Sequence, residues 1–368
     1  MLKSLYRMVL ASVLSVFMTI TSMDAGYAQE TRSQWIQPAS ASEPMVWGIK
    51  GGITFSLWPD PLESARQGEG GPRGLIRVGC EVNGMIYQLN YIAAEPVVGG
   101  KIEYSEITES RVDNKLGKIF WPSNDTIDGG FHPRKLCRGT ISHPDPKNIQ
   151  IEELSIYVFT EQFLNGAHPY FRLFIRSNKP SELGIQVFNQ KGSALMDRCA
   201  FTATMGNYAR LRHLYLKDEV VDAKKLFGDF NGINFIEKQS YPAELLLKSK
   251  ADGSLVAFAE SDEPLNELAA WPQTPAYLER WSWRYRPFFK VIQYWRVPEA
   301  AANKDLVVRV NGRKNYWAGM TSDPSKYIPI PGGVAFENFE MRVPYVQGQE
   351  FFFGISRKSI ADLMGELR

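Results

Sequence analysis

The sequence predicts an all-β protein: a large antiparallel β-sandwich with a short C-terminal helix. Three observations lead there. Apolar and polar residues alternate with a period of two in many short runs, Asn-Gly pairs interrupt β-rich runs, and helical spacing is scarce before the C-terminus. A period of two puts alternate side chains on opposite faces of a strand, so these runs read as antiparallel strands with one wet face. Two packed sheets are the simplest way to bury that many one-sided strands.

In 169–177 (PYFRLFIRS), Phe171, Leu173 and Ile175 face one way and Arg172 and Arg176 the other. In 289–298, Phe289, Val291, Trp295 and Val297 oppose Lys290, Tyr294 and Arg296. Runs 151–160, 334–343 and 350–356 add strands. Asn83-Gly84 within 74–93 and Asn311-Gly312 within 306–319 both predict hairpins, because a type I′ turn needs positive φ at its two central residues. Ile360, Leu363, Met364 and Leu367 have helical spacing behind Ser359, a good N-cap. Residues 222–227 (DAKKLF) suit one or two further turns, and 58–73, 121–149 and 260–285 read as long loops.

The chain opens with Lys3 and Arg7, an apolar run to Ile20, and Gly26-Tyr27-Ala28. That is the pattern of a secretory signal peptide cut after Ala28, and it implies a periplasmic or secreted protein. No later run is long enough to span a bilayer, so no membrane span is expected in the mature chain. Residues 29–46 are polar with two prolines and are expected to lie as a surface extension. Residues 47–368 read as one sandwich domain, with no linker dividing them.

The whole chain carries a formal charge of +2. The removable segment holds only Lys3, Arg7 and Asp24, so the remainder stays close to neutral. A nucleic-acid binder usually shows a basic excess or stripe, so that class is not expected. Cys80, Cys137 and Cys199 permit one disulfide and leave a thiol over. Their spacing fits no zinc pattern, and no metal or cofactor is expected.

Aromatic residues suggest a ligand. Segment 271–289 (WPQTPAYLERWSWRYRPFF) holds Trp271, Trp281 and Trp283 with tyrosines and arginines interleaved. Flat rings suit the C–H face of a sugar, and Arg284 suits an acidic group on it. Oligosaccharide or polysaccharide is the expected partner. Trp281, Trp283 and Arg284 are candidate substrate-binding residues, with Tyr294 and Arg296 from the polar face of 289–298. His132 and Arg134, in the glycine-rich stretch 128–139, complete that set.

Residues 203–221 (ATMGNYARLRHLYLKDEVV) hold the densest polar chemistry. β-Elimination of a uronic-acid polymer needs a neutralised carboxylate, a base and an acid. Asn207, Tyr208, Arg210 and His213 supply those types and are the candidate catalytic residues. On a regular strand, however, Tyr208, Arg210 and Arg212 share one face and His213 lies on the other. A bulge or turn at Gly206 is then needed to re-aim the stretch. A glycosidase would instead need a carboxylate pair, and Glu260, Asp262 and Glu263, or Glu337 and Glu340, are the candidates. Acids on strand faces are expected to be mostly solvated.

Strand count, chain length and aromatic loops over about 45–356 resemble the galactose-mutarotase-like super-sandwich, without any diagnostic motif. The resemblance implies a carbohydrate-active β-sandwich and transfers no residue roles. The function expected is an exported polysaccharide lyase acting on an acidic glycan. The alternatives are a non-catalytic glycan-binding envelope protein and a glycoside hydrolase.

Overall fold

The computed structural model describes residues 33–43, 45–57, 73–132, 135–204, 209–228, 239–261, 283–284, 290–315, 325 and 329–368. By its contacts the chain separates into Met1–Gln34 and Trp35–Arg368. The predicted signal peptide, residues 1–28, lies outside the described residues.

Two large antiparallel sheets make the fold. Sheet I contains β1 (Trp35–Ile36), β2 (Val46–Ile49), β3 (Ile53–Ser56), β4 (Leu75–Val82), β5 (Met85–Val98) and β6 (Lys101–Ile102). It also takes β12 (Arg198–Ala203), β15 (Gln239–Pro242), β18 (Trp283–Arg284), β20 (Val307–Arg313) and β21 (Ala335–Arg342). Its order is β1-β2-β3-β4-β5-β12-β21-β20-β15, with β6 and β18 on β5.

Sheet II contains β7 (Phe120–Ser123), β8 (Thr140–Ser142), β9 (Glu153–Thr160), β10 (Pro169–Arg176), β11 (Glu182–Asn189) and β13 (Leu211–Tyr215). The rest of it is β14 (Val220–Asp222), β16 (Leu247–Lys248), β17 (Leu255–Ser261), β19 (Ile292–Val297) and β22 (Glu350–Ser356). Its order is β14-β13-β17-β19-β22-β11-β10-β9-β7, with β16 on β17 and β8 on β9. Two short helices follow strands: α1 (Ala223–Phe227), capped by Asp222, and α2 (Ile360–Glu366), opened by a Ser359–Asp362 capping box.

The expected inward faces are inside. Phe171, Leu173 and Ile175 join Val291, Trp295 and Val297 in the core, against Phe201, Phe339 and Met341 of sheet I. Trp295 is completely buried, and its indole N–H donates to the Phe339 carbonyl across the core, 2.8 Å away. Asn83 and Gly84 have φ of 53° and 81° and turn β4 into β5. Among the described residues no helix is long and apolar enough to cross a membrane.

Four expectations need correction. Asn311-Gly312 is not a turn: it lies inside β20, at a register shift opposite β21. The glycine is required by packing, since a Cβ at 312 would lie 2.7 Å from the Phe227 ring, and Asn311 accepts the Asn338 N–H at 3.0 Å. The outward faces are not uniformly wet: every residue of β19 and β21 is buried. Ion pairs and helix α2 cover those faces, a matter of cross-strand partners that periodicity does not encode. The 29–46 segment is not purely a surface extension. Trp35 is buried and donates to Glu152 at 2.9 Å, and Trp35–Ile36 forms the edge strand beside β2. The long loop expected at 121–149 contains β7 and β8, both paired with β9.

Candidate functional site

Asn207, Tyr208, Arg134 and Trp281 lie outside the described residues. Trp283 and Arg284 are described as backbone only. As β18 they run parallel to β5 at Ile86 and Tyr87, beyond the point where Ala203 of β12 pairs with Ile92. His132 is exposed, and its carbonyl accepts the Lys135 N–H.

The stretch before His213 turns at Arg210, and Gly206, where the turn was expected, lies outside the described residues. Arg210 precedes β13 with φ 51°, a left-handed conformation that costs a non-glycine residue on the order of 1 kcal/mol. It is 3% exposed and is not a strand-face residue. A register shift between Leu211 and His213 then separates Arg212 from the regular pattern. The buried Arg212 guanidinium donates to the carbonyls of Val334 (3.0 Å), Gly333 (3.2 Å) and Pro331, stapling β13 to the turn before β21. The expectation that Arg210 and Arg212 share one face of a regular strand therefore fails.

His213 does reach the outer face of sheet II, where it meets groups from neighbouring strands. Asp222 and Glu260 are its register partners on either side. His213 Nε2 lies 3.2 Å from Asp222 Oδ2. Two residues on, the Tyr215 hydroxyl donates to Glu260 Oε2 at 2.7 Å, and Lys290 Nζ lies 3.0 Å from Glu260 Oε1. Burial, and then the Glu260 carboxylate, push the Tyr215 phenol well up, so it keeps its proton. Burial would raise Asp222, but N–H groups of Lys225 and Lys224 and the His213 imidazole hold it below its ordinary value. His213, Asp222 and Lys290 side chains are 29%, 24% and 35% exposed, so a solute can touch them. In sequence the aromatic-rich segment lies between Ser261, the last residue of β17, and Lys290, just before β19, and its Trp283–Arg284 pair belongs to sheet I.

Further across the same face, helix α2 lays Leu363 on Val256, Phe258, Ile292 and Tyr294. The predicted residue Tyr294 is thus under the helix, its ring over Gly354, where a Cβ would come within 1.9 Å of it. Its hydroxyl donates to Glu182 Oε1 at 3.3 Å, and burial raises its pKa. Arg296 stacks on Phe352, 3.9 Å from the ring centroid, and binds Glu182 through Nε (2.9 Å) and Nη2 (2.6 Å). That fork-to-carboxylate pairing fixes the guanidinium beside a groove of about 250 Å³.

Sequence reading missed most groups around that groove: Arg176, Lys179, Glu182, Asp252 and Glu350. One signal for it was present. Gly184 and Gly354 interrupt apolar strands, and an isolated strand glycine marks close approach of another group. A Cβ at 184 would lie 2.2 Å from the Phe174 ring.

Sheet I carries a second polar network that also escaped the pattern. Thr202 Oγ1 lies 2.8 Å from Glu95 Oε1 and 2.6 Å from Glu340 Oε2. Arg342 binds Glu95 at 2.7 Å and sits 3.0 Å from Glu340, with Arg309 3.4 Å from Glu340 on the far side. Glu340 is fully buried and Glu95 is 1% exposed, which overturns the expectation of solvated acids there. Glu337, the other acid considered on β21, is also buried, 3.9 Å from Arg313, and burial pushes its carboxyl up to about 8.

Cys80, Cys137 and Cys199 are all unpaired and buried, so none of them forms a disulfide. Among the described residues, no group of three or more His, Cys, Asp or Glu side chains is arranged to hold a metal ion. In comparisons with known proteins, the chain matches no family model and no curated protein.

Proposed function

We propose that the protein is an exported, periplasmic or secreted, carbohydrate-active protein that cleaves an acidic glycan by β-elimination at the His213–Tyr215 cluster. One observation carries this reading: a carboxylate-paired histidine and a proton-bearing tyrosine stand two residues apart on the same face of β13, both part-exposed. His213, oriented by Asp222, takes the proton beside the uronate carboxylate. The C–H electron pair becomes the new double bond, and the glycosidic C–O bond breaks. Tyr215, whose hydroxyl is held on Glu260 at rest, turns its one proton to the departing oxygen and gives it up there. Lys290 supplies positive charge for the substrate carboxylate. Trp281, Trp283 and Arg284 hold neighbouring sugar units. The resemblance to carbohydrate-active super-sandwiches agrees with this chemistry without fixing it.

Incubation with a panel of uronic-acid polymers, read by the ultraviolet absorbance of unsaturated ends, tests the proposal. His213→Ala and Tyr215→Phe are each expected to slow turnover about 100-fold or more. Undiminished turnover in the double variant would remove the chemistry from this cluster.

A second reading, glycan binding without turnover, is favoured by a stack of rings on the same face. Phe188, Tyr170, Phe159 and Trp121 follow one another across four strands, with centroid separations of 5.0, 5.2 and 6.5 Å. Phe159 and Trp121 are buried, and the half-buried Tyr170 and Phe188 are the part of the row that a sugar could touch. Polymer binding lost on Tyr170→Ala, with no unsaturated product from any polymer, selects this reading.

A further inference from the structure

Four of the most exposed apolar side chains meet at one end of the sandwich. Leu195 is 80% exposed, Val112 64%, Val346 62% and Leu164 61%. Single exposed aliphatics are ordinary, but these four stand on neighbouring turns. Hydrogen bonds tie the turns together. The Ala194 N–H donates to the Gly166 carbonyl at 2.9 Å, which sets Leu195 beside the turn that carries Leu164. The Arg111 guanidinium donates to Gln162 Oε1 at 2.7 Å and its backbone N–H to Glu161 Oε2 at 2.6 Å, which brings Val112 to the same turn. The Tyr345 N–H donates to the Asp197 carbonyl at 2.9 Å, which places Val346 against the turn of Leu195.

The core does not use these side chains. Phe163 precedes Leu164 and Met196 follows Leu195, and both of those neighbours are buried, so each turn has already filled its inward position. The turns are also pinned. Asn165 Nδ2 donates to the carbonyls of Pro96 and Lys101, both at 3.0 Å, the Leu164 N–H to Glu103 Oε2 at 2.9 Å, and the Gly100 N–H to Asp197 Oδ2 at 2.8 Å. Apolar tips held this way lose little freedom on contact with a partner. Lys101, Arg111, Lys191 and Arg198 are exposed on the same turns, and among the described residues none of them forms an ion pair. The acids there are largely engaged. Glu161 is buried, Asp113 pairs with Arg73, Glu106 faces Glu337, and Glu103 and Asp197 accept the N–H groups already named. The outermost charge at this end is therefore mostly positive.

We propose that this end of the sandwich docks on an anionic phospholipid surface. Val112, Leu164, Leu195 and Val346 enter the headgroup region, and the four cations lie against lipid phosphates. Burial of apolar side chains and attraction to anionic lipid add to one another. Single aliphatics on separate tips suit a lipid surface, which closes around each of them. A protein partner would be met by one contiguous apolar patch. The geometry also orients the molecule. Glu260 pairs with Ile292, and Ile292 with Ser356, the last residue of β22, whereas the turn carrying Val346 precedes Glu350, the first. The His213–Tyr215 cluster thus lies toward the far end of the strands and stays open to solutes. Docking of this kind is independent of any reaction at that cluster.

The test is flotation with vesicles of phosphatidylcholine alone or mixed with phosphatidylglycerol. The chain used begins at Gln29, the start left by the expected cut, so that the apolar N-terminal run cannot itself insert. Binding to the anionic vesicles is expected, weaker on the neutral ones and weakened by added salt. Leu164→Ser combined with Leu195→Ser is expected to lower the affinity about tenfold or more, with thermal unfolding unchanged. Lys101→Gln combined with Lys191→Gln is expected to lower it about tenfold on anionic vesicles only. Ile149 is 66% exposed and precedes Glu153, the first residue of β9, whereas the turn of Leu164 follows the last, so Ile149→Ser is expected to leave binding unchanged. Absence of binding to anionic vesicles, or a leucine variant that binds as well as the native chain, overturns the proposal. An equal loss in Ile149→Ser overturns it too. Self-association that the leucine variant abolishes, without any vesicle binding, assigns the patch to a protein partner and removes the lipid reading.

Discussion

The outer faces of the two sheets use the same residue types in opposite ways. On sheet I, Glu95, Thr202, Glu340 and Arg342 form a network that water does not reach. The segment after β6 seals it: Ser105 exchanges hydrogen bonds with Ala94, its Oγ donates to the Gly74 carbonyl, and Tyr104 stands next to Glu95 and Arg342. On sheet II, Glu182 and Arg296 form an equally close pair, but the wall above them is open. Charge on a strand therefore says little about function. What distinguishes a site from a scaffold is whether the partners consume each other completely.

The sealed network has a chemical consequence of its own. A threonine hydroxyl carries one proton, yet Thr202 contacts two buried carboxyls. Only one of them can accept that proton, so the other relies on its remaining partners. The nearby arginines supply positive charge to both acids. Such a network is costly to break from one side only.

Four perturbations separate the two faces. Arg342→Ala leaves two acids buried with half their compensation. It is expected to lower unfolding stability by about 3–5 kcal/mol, read by chemical denaturation. The buried Glu337 is next. Its folded pKa of about 8 exceeds its ordinary 4.5, so between those pH values the native state holds a proton that the unfolded chain has released. Stability then falls as pH rises, by up to about 1.4 kcal/mol per unit, and is fully present below the lower value. Glu337→Gln should flatten that slope in denaturation curves at pH 5 and pH 8. Gly184→Ala drives a methyl into the Phe174 ring. A loss of about 1–3 kcal/mol is expected in chemical denaturation. On the open face, Lys290→Ala removes a partly exposed ion pair and should shift stability by less than about 1 kcal/mol while slowing turnover. Equal stability losses for Arg342→Ala and Lys290→Ala would erase the contrast.

The parts of this fold that were legible in the sequence are those fixed by local pattern. Phe171, Leu173 and Ile175 point inward because alternation and burial agree, and Asn83-Gly84 turns because nothing else claims that glycine. Asn311-Gly312 has the same local pattern and a different outcome, because Phe227, far away in sequence, needs the space. The site shows the same division. His213 was identifiable by type. Its company was not, since Tyr215 meets Glu260 across 45 positions and Arg296 meets Glu182 across 114. Register between distant strands created those pairs, and period-2 alternation is silent about register.

The three cysteines make the protein a blank background for thiol chemistry. Burial pushes the thiol of Cys137 up to about 11 and that of Cys80 to about 12, and it raises Cys199 as well. Thiolate, the reactive form, is therefore scarce at each of them in the folded protein, and reagent access is blocked too. A cysteine placed at Lys179 or next to His213 would then be the fastest to react with an alkylating dye. A fluorophore at either position would report on its own part of the outer face of sheet II, without removing a single native residue from the core.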